Sequence, residues 1–226
     1  MRYGQTKTGI FLARPNRFIA HVEIDGETRI CHVKNTGRCR ELLVRGARVV
    51  VACSDNSTRK TAYDLIAVYK GDQLINMDSQ APNRVIGEWI GQGRCFFNVT
   101  YVKPEYSYGT SRLDFYVEAD GRRILAEVKG VTLERDGVAM FPDAPTERGI
   151  KHVRELIEAK KKGYDAYIFF VIQMERCRYF TPNRATHPAF ADVLREAQGE
   201  GVKVVAVTCR VTEQSLTVFQ PVDVVL

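Results

Sequence analysis

The sequence predicts an α+β chain built as a small all-β barrel followed by a mixed sheet flanked by helices. Three observations lead there. Residues 9–77 hold a succession of short strand-like runs punctuated by Asp25-Gly26 and Gly71-Asp72 turn signals, with no long helical pattern. Residues 166–172, AYIFFVI, form a continuous apolar run, the mark of a strand buried on both faces. Helical spacing appears at 147–162 and at about 188–198. Helices alternating with buried strands give a sheet covered on its faces.

The bulk properties set the bounds. The 226 residues are 45% hydrophobic and 27% charged, an ordinary globular composition with room for one large unit or two small ones. No apolar run approaches the ~18 residues of a membrane span, and MRYGQTKTGIF lacks a signal-peptide core. A cytoplasmic protein without a membrane partner is the expectation. The six cysteines are scattered, with no C-x-x-C pair, which argues against a zinc ribbon. Cys31-His32 with Cys39 is a weak metal cue, and buried reduced thiols are the simpler account. The net charge of +6 is uneven: residues 1–80 hold 13 Lys+Arg against 8 Asp+Glu, and residues 81–226 hold 20 against 19. A basic unit joined to a near-neutral one suggests that the first attracts a polyanion and the second does chemistry on it. An excess this small also serves solubility alone.

In chain order, strands are expected at 10–13, 18–24, 28–33, 47–53, 63–69 and 74–75, with a short helix at 38–44 ended by Gly46. Five or so strands with a helix after the third fit a Greek-key barrel of the OB type, which commonly binds nucleic acid on one face. A ligand-free SH3-like barrel is the alternative. Arg14, Arg17, Lys34, Arg38 and Arg40 are the candidate phosphate contacts. Phe18 is either a stacking platform or core. The polar stretch DSQAPN at 78–83 reads as a linker, dividing the chain into units 1–80 and 81–226. Asn83 is placed as the cap of a helix reaching about Ile90, stopped by Gly91 and Gly93. Its Glu88 is either a further carboxylate near a metal or a solvated residue.

A strand at 96–102 and a Tyr-Ser-Tyr-Gly turn lead to the stretch around which the rest is organised, SRLDFYVEADGRRILAEVKGVT at 111–132. Strand-like runs at 113–117 and 124–131 flank Asp120-Gly121, a strong hairpin signal. A two-residue loop there sets Asp114 opposite Glu127, with Cβ atoms roughly 4.5–5.5 Å apart, where facing like charges destabilise a sheet. Lys129 shares the face of Glu127, and Val128 lies on the other. A divalent cation would explain the juxtaposition: Asp114, Glu127 and the Val128 carbonyl suit Mg2+ or Mn2+. Asp114, Glu127 and Lys129 are then the catalytic candidates, Lys129 positioning water or stabilising developing charge. The plain alternative is an exposed strand face whose Glu127–Lys129 pair neutralises itself.

Beyond the hairpin, residues 136–145 read as a loop, and Thr146 as the N-cap of a helix over 147–162. Glu147 stands in its first turn, Lys160, Lys161 and Lys162 in its last, and Gly163 after it. Ile150, Val153, Leu156 and Ile157 form its apolar stripe. Arg148 and Lys151 near the helix start are candidate nucleic-acid contacts. A solvated face is the alternative for both, and a surface histidine for His152. A buried-type strand at 202–207 and an edge strand in the tail complete the order helix, three strands, helix, strand, helix, strand. No pair of long helices surrounds a short turn, which disfavours a helix-turn-helix regulator.

That order, with Asp114 on the second strand and Glu127-Val128-Lys129 on the third, resembles the PD-(D/E)XK nuclease superfamily. Leu113, and not proline, precedes the Asp. Over its whole length the chain resembles the sugar fermentation stimulation protein (SfsA) family. HVKNTGRCREL at 32–42, SRLDFYV at 111–117, EVKGVTL at 127–133 and FPDAPTERGIKHVREL at 141–156 carry the match. The resemblance implies an OB-like unit followed by a nuclease-like one, in a protein that binds DNA without sequence preference, taken here as double-stranded. It also implies a regulatory role in sugar, especially maltose, metabolism. A metal-dependent nuclease and a non-catalytic DNA-binding regulator are therefore both carried forward, and a homo-oligomer stays open.

Overall fold

The computed structural model describes every residue except 36, 38, 55 and 57. Five strands close a barrel: β1 (Thr6–Asn16), β2 (Ile19–Ile24), β3 (Glu27–Val33), β4 (Arg48–Cys53) and β5 (Tyr63–Lys70). β1 pairs with β2 and β4, β2 with β3, and β4 with β5. The parallel pairing of β3 with β5, Cys31 against Tyr63 through Val33 against Leu65, closes the circle. β1 is longer than its apolar run because register shifts at Phe11–Ala13 and Ala13–Asn16 bend it around the barrel. It needs Gly9 for this: a Cβ there would lie 2.5 Å from the Glu23 carbonyl oxygen. The helix expected at 38–44 does not form over the described residues 39–44, Arg38 lying outside them. Cys39 sits at φ +45, and the chain makes a single turn in which the amides of Leu42 and Leu43 both donate to the Cys39 carbonyl. Docking of Leu42 and Leu43 into the core outweighs local propensity there.

β6 (Gln73–Asn76) leaves the barrel edge and leads into α1 (Ala81–Gly91), which carries Pro82 in its first turn and has Gln80, not Asn83, at the cap position. Then come β7 (Val99–Tyr108), β8 (Ser111–Ala119), β9 (Arg122–Val131), β10 (Leu133–Arg135), β11 (Val138–Phe141) and α2 (Glu147–Lys161). β12 (Asp165–Ile172), β13 (Tyr179–Pro182), α3 (Pro188–Gly199), β14 (Lys203–Val211) and β15 (Leu216–Val222) follow. The main sheet has the order β15-β14-β12-β9-β8-β7. β9, β12 and β14 run parallel, and β7–β8–β9 form an antiparallel meander. This is the expected mixed sheet, and α2 begins as read, with Thr146 Oγ1 accepting from the Gly149 amide at 3.0 Å. The segment read as a loop at 136–145 instead holds the β10–β11 hairpin, turned at Asp136 (φ 52) and Gly137 (φ 81). An Asp-Gly pair makes this turn as it does at 120–121. β13 joins β11 in parallel, a pairing between distant stretches that short-range pattern does not announce.

The faces of the main sheet differ. Val128, Ala126 and Ile124 pack with Val85 and Ile86 of α1, whereas Leu125 and Val131 pack with Val153 and Leu156 of α2 and with Phe170, Phe180 and Phe190. That second cluster runs on without a break into the barrel core around Val22, Val51 and Leu65. At the junction, Gln173, 1% exposed, donates its side-chain amide to Asn76 Oδ1 (2.9 Å) and the Asp78 carbonyl (3.0 Å). Its backbone accepts from the Asn76 amide and donates to the Val131 carbonyl. Lys34 closes on Asp78 at 3.2 Å. No helix among the described residues is long and apolar enough to cross a membrane.

Candidate metal centre

The Asp120-Gly121 turn, with φ of +51 and +70, sets the hairpin register: Val117 faces Ile124, Tyr116 faces Leu125 and Phe115 faces Ala126. One step further this register brings Asp114 level with Glu127, as the two-residue loop predicts. There a side chain takes over from the ladder. The Val128 amide donates to Asp114 Oδ2 at 2.7 Å, and Asn83 Nδ2 donates to Asp114 Oδ1 at 2.6 Å. The N–H and C=O of one strand residue face the same neighbour. Val128 therefore turns its carbonyl to the Asp114 side as well.

Glu127 is 2% exposed, facing α2. Its Oε1 accepts from Lys129 Nζ at 2.5 Å and is also bonded by His152 Nδ1. Arg148 Nε lies 3.4 Å from His152 Nε2, which leaves the ring proton on Nδ1, aimed at Glu127. Oε2 is buried and has no hydrogen-bond partner among the described residues. Burial pulls the Glu127 carboxyl upward, but the His152 and Lys129 contacts outweigh it and hold the group below its ordinary range. Asp114 goes the other way: burial, then the Glu127 charge, push it up to about 6. Below about pH 6 the proton shared by the pair therefore sits on Asp114. An unsatisfied buried carboxylate oxygen beside a second carboxylate and a backbone carbonyl is an all-oxygen donor set, which suits a hard divalent cation. Asp114, Glu127 and the Val128 carbonyl are the groups that fit one. Among the described residues no three His, Cys, Asp or Glu side chains cluster as a metal site. Such a cation would thus keep several waters.

The structure brings Asp114, Glu127, Val128 and Lys129 together and adds two residues that sequence reasoning placed elsewhere. Asn83 is inside the first turn of α1 and holds Asp114; nothing local in the sequence signals that. His152 is buried, not a surface histidine, because it shares the helical stripe of Gly149 and Leu156. That spacing was the available signal. Glu88 stays away from the centre: its Oε2 pairs with the Met1 ammonium at 2.5 Å. The basic candidates separate. Arg14 is committed to the carbonyls of Gly37, Arg17 and Asn35, so it staples the barrel loop. Lys34 is ion-paired with Asp78. Arg17 lies over the Phe18 ring, 4.8 Å from its centroid, and Phe18 is 44% exposed, as a stacking platform would be. Arg40 is exposed, and Arg38 lies outside the described residues. Arg148 and Lys151 are exposed on α2, Lys151 reaching the Thr110 carbonyl at 3.2 Å. All six cysteines are free, and burial pushes the Cys31 and Cys39 thiols up to about 12. His32 faces Asp64.

Two family models match the chain. Residues 12–77 match the family model described as the SfsA N-terminal OB domain, and residues 80–215 match the sugar fermentation stimulation protein RE domain. The chain belongs to the SfsA family. A sugar fermentation stimulation protein homolog of Clostridium beijerinckii is 55% identical over 226 residues, covering all of both chains. One from Desulfitobacterium hafniense is 57% identical over 216 residues, covering 96% of this chain and 94% of the relative. The solved structure of Pyrococcus furiosus SfsA in complex with Ca2+ superposes with a TM-score of 0.88 at 26% identity, covering 100% of this chain and 98% of that one.

Proposed function

We propose that this SfsA-family protein is a divalent-metal-dependent nuclease that binds DNA, double-stranded included, without sequence preference. In this reading the barrel unit, 1–80, captures the strand and the unit 81–226 cleaves it. The observation that carries it is the buried Glu127 Oε2, without a hydrogen-bond partner among the described residues, beside Asp114, whose carboxyl burial and then the Glu127 charge push up to about 6. Two carboxylates in this state are costly without a cation. That a relative of the same fold was solved with Ca2+, an oxygen-ligated cation, supports the fit. Mg2+ or Mn2+ held by Asp114, Glu127 and the Val128 carbonyl would polarise a phosphoryl oxygen and acidify a bound water.

The chain's own residues supply the rest. Lys129, with 14% of its side chain exposed, offers its ammonium at the edge of the pair to orient a water or meet developing negative charge. His152 and Asn83 fix the orientation of Glu127 and Asp114. Arg148, Lys151, Arg17 and Arg40 are the exposed cations that would track the phosphate backbone. The test is cleavage of supercoiled plasmid and of labelled oligonucleotides in Mg2+, Mn2+ and EDTA, with Glu127→Ala and Lys129→Ala alongside. Metal-dependent cutting lost in both variants supports the nuclease.

One observation favours a second reading, a non-catalytic DNA-binding regulator of sugar-metabolism genes. Glu127 Oε1 is already paired with the Lys129 ammonium and bonded by His152 Nδ1, a self-contained arrangement. Tight, salt-sensitive DNA binding with no cutting in any metal would select it.

A further inference from the structure

A second concavity begins one residue beyond Lys129. It has a volume of about 470 Å3 and lies between the barrel loop, the end of β9 and the segment connecting β11 to α2. Hydrogen-bonding side chains line it: Asn35 and Ser79 from the barrel side, Thr132, Asp143 and Gln173 from the other. Phe141 and Pro142 supply apolar wall. Among the described residues that line it there is no lysine or arginine, and the one charged group is a carboxylate. Among the described residues that carboxylate, Asp143, makes no ion pair and no hydrogen bond, and Gln173 at the floor is 1% exposed.

We infer that this groove is a pocket for one unpaired nucleobase next to the phosphate held at the metal centre. The inference rests on the nuclease reading. Charge decides what enters: described lining that holds an unpaired carboxylate and no cation repels phosphate and attracts N–H donors. Apolar walls with a few convergent polar groups are what a planar heterocycle requires. The donors that a carboxylate would read lie on the Watson–Crick edge, which is reachable only when the base is unpaired. Guanine presents two adjacent N–H donors there and thymine one N–H between two carbonyls, so Asp143 favours guanine over thymine. The substrate class that follows is DNA with an unpaired nucleotide at the point of attack: a single strand, a bulge or a frayed junction.

The test measures binding by fluorescence anisotropy, in EDTA and in Ca2+, of duplexes carrying a single bulged guanine, a bulged thymine or no bulge. Wild type is expected to prefer the bulged guanine by about tenfold over thymine. Asp143→Asn, at an exposed position, is expected to bring that ratio near one while leaving affinity for the unbulged duplex unchanged. Ala144→Phe, which fills the groove from its rim, is expected to abolish the preference for any bulge. Equal binding of all three duplexes, or a preference untouched by both variants, overturns the pocket and leaves the nuclease reading standing. Failure to bind any DNA with or without Ca2+ overturns the nuclease reading and the pocket with it.

Discussion

Replacing Asp114 by asparagine tests the electrostatics of the metal centre without needing the chemistry. In the folded protein burial and the neighbouring Glu127 charge raise the Asp114 carboxyl from 3.8 to about 6. The folded state therefore binds this proton more tightly than the unfolded chain does. Its stabilising contribution is complete below about pH 4 and is lost as pH rises through about 6. A displacement of roughly two pKa units corresponds to about 3 kcal/mol. Asparagine does not titrate, but it has one acceptor oxygen where the carboxylate uses two, for Val128 and Asn83. A constant loss of about 1 kcal/mol is expected at every pH from the unmatched donor. In urea denaturation with EDTA, wild type minus variant should fall by about 3 kcal/mol between pH 4 and pH 8. The variant ends as the more stable protein at the alkaline end. Mg2+ or Ca2+ should reverse this by stabilising wild type alone, by about 2.7 kcal/mol at a hundredfold excess over its Kd. Parallel stability curves for the two proteins across this range would refute the claim that Asp114 is a half-buried carboxyl pressed against Glu127.

Three further outcomes are expected. Gly130→Ala places a Cβ 2.7 Å from Gln173 Oε1 and 2.8 Å from Pro82 Cγ, both tied down, and should cost about 1–3 kcal/mol; an unchanged Tm would show that the junction yields. Lys129→Ala should lower cleavage by about 10²–10³ with DNA affinity intact; equal loss of binding would make Lys129 a substrate anchor instead. Arg40→Ala should weaken DNA binding alike across sequences and reduce the salt slope by about 1, which a titration series between 50 and 200 mM salt reads directly.

Much of this architecture is legible along the chain because its strongest signals are local. The Asp120-Gly121 turn fixes the register that brings Asp114 to Glu127, AYIFFVI announces the central parallel strand, and Thr146 and Gly163 bracket α2. What is lost depends on contacts between distant stretches. The turn at 39–43 is drawn out of helix by burial of Leu42 and Leu43 in a core completed by other strands. β13 exists only because β11 offers it an edge. At the metal centre the carboxylates and Lys129 could be read from one hairpin, but Asn83 arrives 31 residues earlier and His152 25 residues after Glu127. The helical stripe could have shown His152 to be buried, though not what it binds. The basic candidates divide for the same reason: sequence counts cations, and only the fold shows that Arg14 and Lys34 are already engaged.

The amide of Gln173 has a consequence for how the chain can be divided. Severed after residue 80, the C-terminal piece would lose the Asn76 and Asp78 acceptors, leaving a buried donor facing water, and would bare the apolar seam that continues into the barrel. The two halves matched by separate family models would then be units of ancestry without being units of folding. They should melt in one cooperative transition, and neither expressed alone should reach the stability it has in the intact chain.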